Sequence, residues 1–133
     1  MNLFDFEIVT PTRVVFSGKV RHVRAPGSEG YFGVLSGHTP FMTNLQIGEI
    51  KINTEAAEDY YATSGGLIEV LPHGITVLAE SAEKAGEIEP ERAQKAIERA
   101  KKRLEEKTPD TDLDRARLAL LRGINRIRIS KNR

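Results

Sequence analysis

A chain of 133 residues with 39% hydrophobic content has room for one modest core and an appendage. It contains no cysteine, which excludes a disulfide framework, a thiolate nucleophile and a Cys-ligated metal, and fits a reducing compartment. The net charge of +1 is unevenly spread: residues 1–85 carry 10 acids and 6 bases, 86–114 carry 9 and 7, and 115–133 carry 7 bases and no acid. A basic final stretch on an otherwise acidic chain points to an acidic partner: nucleic acid, a membrane, a nucleotide or an acidic protein surface.

No apolar run approaches the roughly 18 residues of a membrane span. The opening MNLFDFEIVT lacks the basic start and long apolar core of a secretory signal, so the expectation is a protein that stays where it is made. Instead it reads as a strand, with Phe4, Phe6 and Ile8 on one face and Leu3, Asp5 and Glu7 on the other. Further strand patterns follow at 13–18, 19–25, 31–35, 41–45, 49–53, 59–63, 66–71 and 74–80. Gly18, Pro26-Gly27, Gly37, Pro40, Gly48, Gly65-Gly66 and Pro72-His73-Gly74 punctuate them. Short strands at regular spacing predict an all-β antiparallel sandwich over residues 1–85.

The period changes at about residue 86. Ala93, Ala96/Ile97, Ala100 and Leu104 recur at helical spacing, and so do Leu113, Ala116, Leu120, Ile124 and Ile127. Pro90 suits a first helical position, and Thr111 with Asp114 resembles a capping box after the TPDT break. Residues 86–133 therefore read as an antiparallel helical hairpin. Its Ala-rich seam buries little area, and lone helices of this length are marginal in water. Such an arm needs the sandwich, a ligand or a partner to hold it, and can take a second placement.

Three stretches are candidates for chemistry. His38, in GVLSGHTPFM, has no metal-pair spacing with His22 or His73, and no G-x-S-x-G is present, so Gly37-His38-Thr39-Pro40 reads as a turn. The loop APGSEGYFG at 25–33 is glycine-rich, but no Lys-Ser/Thr and no helix follow it, which excludes a P-loop. It reads as an exposed loop whose Glu29 and Tyr31 contact a partner. In the basic helix, Arg115, Arg122 and Arg126 share a face, and Arg92 and Arg99 stand seven apart in the preceding one. Folded back, these arginines converge on an anion such as a polyphosphate. The competing readings are a solvated face and a nucleic-acid stripe, although the segment lacks the aromatics of single-strand binders. No catalytic residue and no metal site emerge.

The stretches GSEGYFGVLSGHTPFMTNLQIGEI (27–50), SGGLIEVLPHGITVLAE (64–80) and EIEPERAQKAIERAKKRL resemble the ε subunit of bacterial and chloroplast F-type ATP synthases, in order and over almost the whole chain. The resemblance implies a non-catalytic rotor part of a proton-translocating machine, peripheral on the cytoplasmic face of a bacterial plasma membrane or the stromal face of a thylakoid. It implies partners: the γ subunit, the c-ring and, when the hairpin extends, the catalytic α/β subunits, with no nucleic acid and no membrane insertion. It places His38, Thr39, Pro40, Met42 and Thr43 at γ, and Glu29, Gly30 and Tyr31 at the c-ring. Arg115, Arg122 and Arg126 would engage the catalytic subunits when the extended hairpin inhibits ATP hydrolysis.

Some members of that family bind ATP at the folded hairpin through [IL]-D-x-x-R-A. Here Ile88, Arg92 and Ala93 match that motif, and Glu89 stands where the family has Asp. Arg99, Arg122 and Arg126 fall at phosphate-contacting positions and Glu83 at an adenine-side one. Glu caps a helix less well than Asp and moves the carboxylate by a methylene. The resemblance thus implies ATP as a regulatory ligand with no required cofactor, and leaves its Mg²⁺ dependence open.

Overall fold

The computed structural model describes residues 2–37, 39–106 and 108–132. In β1 (Phe4–Val9) the alternation is realised: Phe4, Phe6 and Ile8 turn into the core while Asp5 faces solvent. β1 pairs antiparallel with β2 (Val14–Val20). β3 (His22–Gly27) and β4 (Gly30–Leu35) form a second hairpin. β5 (Phe41–Asn53) and β6 (Glu58–Leu71) form a third, with strands of 13 and 14 residues. β7 (Gly74–Ala79) and the short β8 (Ala82–Lys84) complete the sheet, and a 3-10 turn at Ala85–Glu87 leads to the helices α1 (Pro90–Glu106) and α2 (Leu113–Ser130).

The strands make one ladder in the order β2-β1-β7-β6-β5-β3-β4, with β8 also beside β6. A flat ladder would hold β1 far from β4, yet Phe4 and Val34 line one small crevice with Val70 and Ile75. The ladder therefore folds over, and all eight strands feed a single core that includes Phe6, Val20, Val23, Val34, Ile50, Tyr61, Ile68, Val77 and Ala82. The product is the expected sandwich, with two corrections to the strand reading. β1 and β7 run parallel, from Asp5↔Gly74 to Val9↔Leu78. Gly48 and Gly65-Gly66 lie inside long strands and do not separate short ones.

Those glycines mark the fold-over. In β5 the core face passes from Leu45 to Ile50 and Ile52, a change of parity, and in β6 it passes from Tyr61 to Ile68 and Val70. The β5–β6 register holds throughout, with Leu45 opposite Gly66 and Ile50 opposite Tyr61, so both strands exchange faces at the same level. There Gly65 (φ +116°) and Gly66 (φ +143°) take conformations that side chains resist. At that point β6 also trades β8 for β7 as its neighbour.

Tyr61 is 3% exposed, and its burial, with Asp59 and Glu87 adding to the effect, pushes the phenol up to about 12 from an ordinary 10.0. The folded chain then holds this proton more tightly than the unfolded chain does. The corresponding stability is complete below the unfolded value near 10 and is lost as pH rises through about 12. Denaturant midpoints should therefore fall over that interval, and Tyr61→Phe should flatten part of the fall. An identical alkaline slope in the variant contradicts the assignment.

Pro90 opens α1 as its chemistry predicts, and Ala93, Ile97 and Ala100 form the buried stripe. α2 is capped by Asp112, whose Oδ1 accepts the Arg115 N–H at 3.0 Å; this replaces the expected Thr111–Asp114 box. Thr111 is instead tied to Thr108, hydroxyl to hydroxyl at 2.7 Å, and Asp114 to Arg117 at 3.3 Å. The helices approach closely at Gly123, where an added Cβ would lie 2.6 Å from Ile97 Cγ1. Ile124, expected in the seam, is 47% exposed. α2 serves two neighbours, α1 and the sheet, so its buried set is Ala116, Gly123, Asn125, Ile129 and Ser130 and not one stripe of large apolar residues. No described helix is long and apolar enough to cross a membrane.

Candidate functional site at the hairpin–sandwich seam

β6 presents Ala62 on the face opposite Tyr61, and the hairpin docks there. The apolar part of this docking is small: Ala62, Ala85, Ile88 and Ile129 form a cluster of their own, with Tyr60 packed beside it. The polar part is more elaborate. Arg126 Nη2 donates to Glu83 Oε2 at 2.9 Å, while its Nε sits 2.6 Å from Oε1, out of line for a hydrogen bond. One turn earlier, Arg122 Nη2 stands 3.9 Å from Glu80 Oε2. Asn125, 5% exposed, donates from Nδ2 to the Gly48 carbonyl at 2.9 Å.

Glu83, Arg122 and Arg126 line a crevice of about 280 Å³ together with Ser64, Ser81, Ala96, Ala119 and Gly123. The Nε of Arg122 is buried without a hydrogen-bond acceptor among the described residues, whereas that of Arg126 already lies 2.6 Å from Glu83 Oε1. The crevice thus sets two guanidiniums against one carboxylate, a net cationic lining that can take an anion. The remaining nucleotide candidates divide into two groups. Ile88 and Ala93 are buried and do not line the crevice: Ile88 lies in the docking cluster and Ala93 between the helices, facing Gly123. Glu89, Arg92 and Arg99 are exposed, although Arg92 and Arg99 flank the crevice residue Ala96 at helical spacings of four and three. The Glu89 carbonyl accepts the Ala93 N–H at 3.1 Å, which starts the helix. Glu83, expected on an adenine side, here binds the Arg126 guanidinium.

Arg115 is not part of this constellation. It is exposed at the start of α2, beside Arg103, Asp110, Thr111 and Asp112. Arg122 and Arg126 face acids of the β7–β8 segment, so in the docked hairpin they are occupied.

The two loop stretches, read separately in the sequence, adjoin in space. The Ser28 and Thr43 hydroxyls lie 3.2 Å apart, and Gln46 Nε2 donates to the Ser28 carbonyl at 2.7 Å. Thr39, Pro40 and Met42 are exposed, as are Glu29 and Gly30. His38 lies outside the described residues. Tyr31 is 48% exposed but not idle: the Arg24 guanidinium covers its ring at 4.8 Å and its hydroxyl oxygen accepts the Glu49 N–H at 2.9 Å. Asn125, Glu80 and Glu49 carry no motif. The only sequence signal for Asn125 is a lone amide on a face otherwise built of Ala, Gly, Ile and Ser.

Residues 3–85 match the family described as ATP synthase, Delta/Epsilon chain, beta-sandwich domain, and residues 87–131 match its long alpha-helix domain. An ATP synthase epsilon chain from Desulforapulum autotrophicum is 46% identical over 133 residues, covering 99% of this chain and 98% of that one. Its counterpart from Bacillus cytotoxicus is 42% identical over 130 residues, covering 98% of each. Among solved structures, a chain of the Euglena gracilis mitochondrial ATP synthase (OSCP/F1/c-ring) superposes with a TM-score of 0.79 at 22% identity, covering 90% of this chain and 76% of that one. A chain of the Tetrahymena thermophila mitochondrial ATP synthase central stalk and c-ring gives 0.63 at 12% identity, covering 97% and 94%. At those identities the two structures speak to the fold alone.

Proposed function

The chain belongs to the delta/epsilon family of ATP synthase chains, as an epsilon-type member over its full length, and on that premise we propose a division of labour within a rotary machine. The sandwich, residues 1–85, is the fixed part: it holds γ through the 39–43 edge and meets the c-ring through the 29–31 loop. The hairpin, residues 86–133, is the regulatory part, docked in one state and extended toward the catalytic subunits in the other. The protein is a stalk subunit and not the catalytic one, peripheral to the membrane on the side where the catalytic head sits.

The observation that carries this reading is the thinness and polarity of the docking surface. Four small or medium buried apolar residues, with Tyr60 beside them, hold the arm, and charged or amide side chains add to them. Such an interface is weak when closed and readily solvated when open, as a detachable element requires. ATP enters as the ligand of the docked state. Its phosphates would compete with Glu80 and Glu83 for the Arg122 and Arg126 guanidiniums at the crevice, with Arg92 and Arg99 closing from α1. Docking then strengthens with ligand as RT ln(1 + [L]/Kd). When nucleotide is scarce the arm leaves, and Arg122 and Arg126 exchange Glu80 and Glu83 for acids of the catalytic subunits, joined by Arg115. The nucleic-acid alternative gains no support from α2, whose two central arginines turn inward to those acids.

The test is removal of the arm. A chain ending at Ala85 should still co-purify with γ, and the enzyme assembled with it should hydrolyse ATP faster than the enzyme with the full chain. An unchanged rate removes the inhibitory role, and loss of γ binding removes the assignment of that contact to the sandwich.

A further inference from the structure

The ladder between β3 and β5 is interrupted: His22, Val23 and Arg24 pair with Asn53, Ile52 and Lys51, and pairing resumes only at Gly27↔Leu45. Pro26 lies in the gap and has no N–H to offer. Gly48 lies against it, and an added Cβ there would stand 2.8 Å from Pro26 Cβ and 2.7 Å from Tyr31 Oη. The peptide unit joining Gly48 to Glu49 is met by a side chain at each end. Asn125 Nδ2 of α2 donates to its carbonyl at 2.9 Å, and its N–H donates to Tyr31 Oη of β4 at 2.9 Å. Arg128 Nη2 in turn donates to Asn125 Oδ1 at 3.1 Å.

These bonds run in one direction, from the Arg128 cation through the Asn125 amide and the Gly48–Glu49 peptide to the Tyr31 phenol. Bonds aligned in this way polarise one another. The peptide is also planar and rigid, so its two ends cannot be reoriented independently. If the N–H turns to find another acceptor, the carbonyl swings away from Asn125. The Glu49 side chain makes a parallel connection: Oε1 accepts from Arg24, which covers the Tyr31 ring, and Oε2 accepts from Asn132 just beyond α2 at 3.4 Å.

We infer that the Gly48–Glu49 peptide is a coupling junction: the state of the β3–β4 hairpin at Tyr31 and the docking of α2 at Asn125 are energetically linked through it. The inference rests on the reading of the hairpin as a detachable arm, and extends it to a second input besides nucleotide. A partner that reorients Tyr31 would loosen α2, and by reciprocity a docked α2 would favour the Tyr31 arrangement seen here.

The test is native-state hydrogen exchange on the full chain, comparing α2 amides around Gly123–Ile129 with β7 amides, which report global opening. Four chains are needed: the parent, Tyr31→Phe, Asn125→Ala and the double variant. Asn125→Ala should raise local opening of α2 about tenfold, and Tyr31→Phe, which deletes one oxygen on a residue of the β-sandwich, about threefold or more. The double variant should open less than the product of the two factors, with β7 little changed throughout. An α2 that opens locally but ignores Tyr31→Phe, or factors that simply multiply, overturns the junction alone. An α2 that opens only together with β7 overturns the detachable arm and the junction with it.

Discussion

Gly66→Ala should leave the chain unfolded or aggregated. Gly66 holds φ +143°, and a Cβ there would overlap the Leu78 carbonyl oxygen and lie 2.8 Å from Ala79 Cα. Both obstacles are backbone of β7, which cannot rotate aside as a side chain would. The conformational strain alone is about 1–3 kcal/mol. Separating β6 from β7 to relieve the overlap would break their ladder at its first pair, Gly66↔Ala79. For a small domain with a total stability of roughly 5–15 kcal/mol, strain together with a broken ladder leaves little margin. Gly30→Ala is the control: Gly30 also has positive φ, +127°, but nothing lies within 4 Å of its Cβ position. That variant should fold with only the strain subtracted. Circular dichroism and urea titration of the two separate the steric term from the conformational one. A Gly66→Ala chain as stable as Gly30→Ala contradicts the account of the bend.

Arg126→Ala should shift the hairpin from docked to undocked on the order of tenfold and make that equilibrium insensitive to ATP. The pair with Glu83 is about one quarter to one third exposed, between a surface pair, worth under about 1 kcal/mol, and a fully buried one. Removing the guanidinium strips the Glu83 carboxylate of its partner in the crevice and removes one of the two cations that line it. Arg126→Lys retains the charge without the planar fork and should restore only part of the docking. Melting of the sandwich should be little affected, because Glu83 lies outside the main core. Calorimetric titration with ATP and a hairpin distance measurement read the two effects. Parent-like ATP binding in Arg126→Ala removes Arg126 from the site.

The features legible in the sequence were those set by local period and by residues with one conformational use. The Phe4/Phe6/Ile8 alternation, Pro90 and the Ala93–Ile97–Ala100 stripe sit where their spacing puts them. The features that were not legible depend on distant partners. The parallel β1–β7 pairing joins segments 69 residues apart, from Asp5 to Gly74, and no window contains both. Gly65-Gly66 reads as a strand boundary because glycine punctuates turns, but its positive φ also serves a fold-over inside a strand. The spacing of Ile124 points it into the seam, but α2 packs on α1 and the sheet together, which moves the buried face onto Gly123 and Asn125. At the candidate site the arginines were visible as a pattern, whereas their acids, Glu80 and Glu83, became partners only through the β7–β8 connection.

The central claim is that a rigid β-clamp carries an arm with two placements. The most direct measurement is the distance distribution between a label on the sandwich and one at the hairpin tip. The chain has no native cysteine, so Ser17→Cys and Asp110→Cys give a clean pair on exposed positions. Two populations should appear without nucleotide, and millimolar ATP should move the weight to the docked one. A single distance, unchanged by ATP and by added γ, contradicts the account.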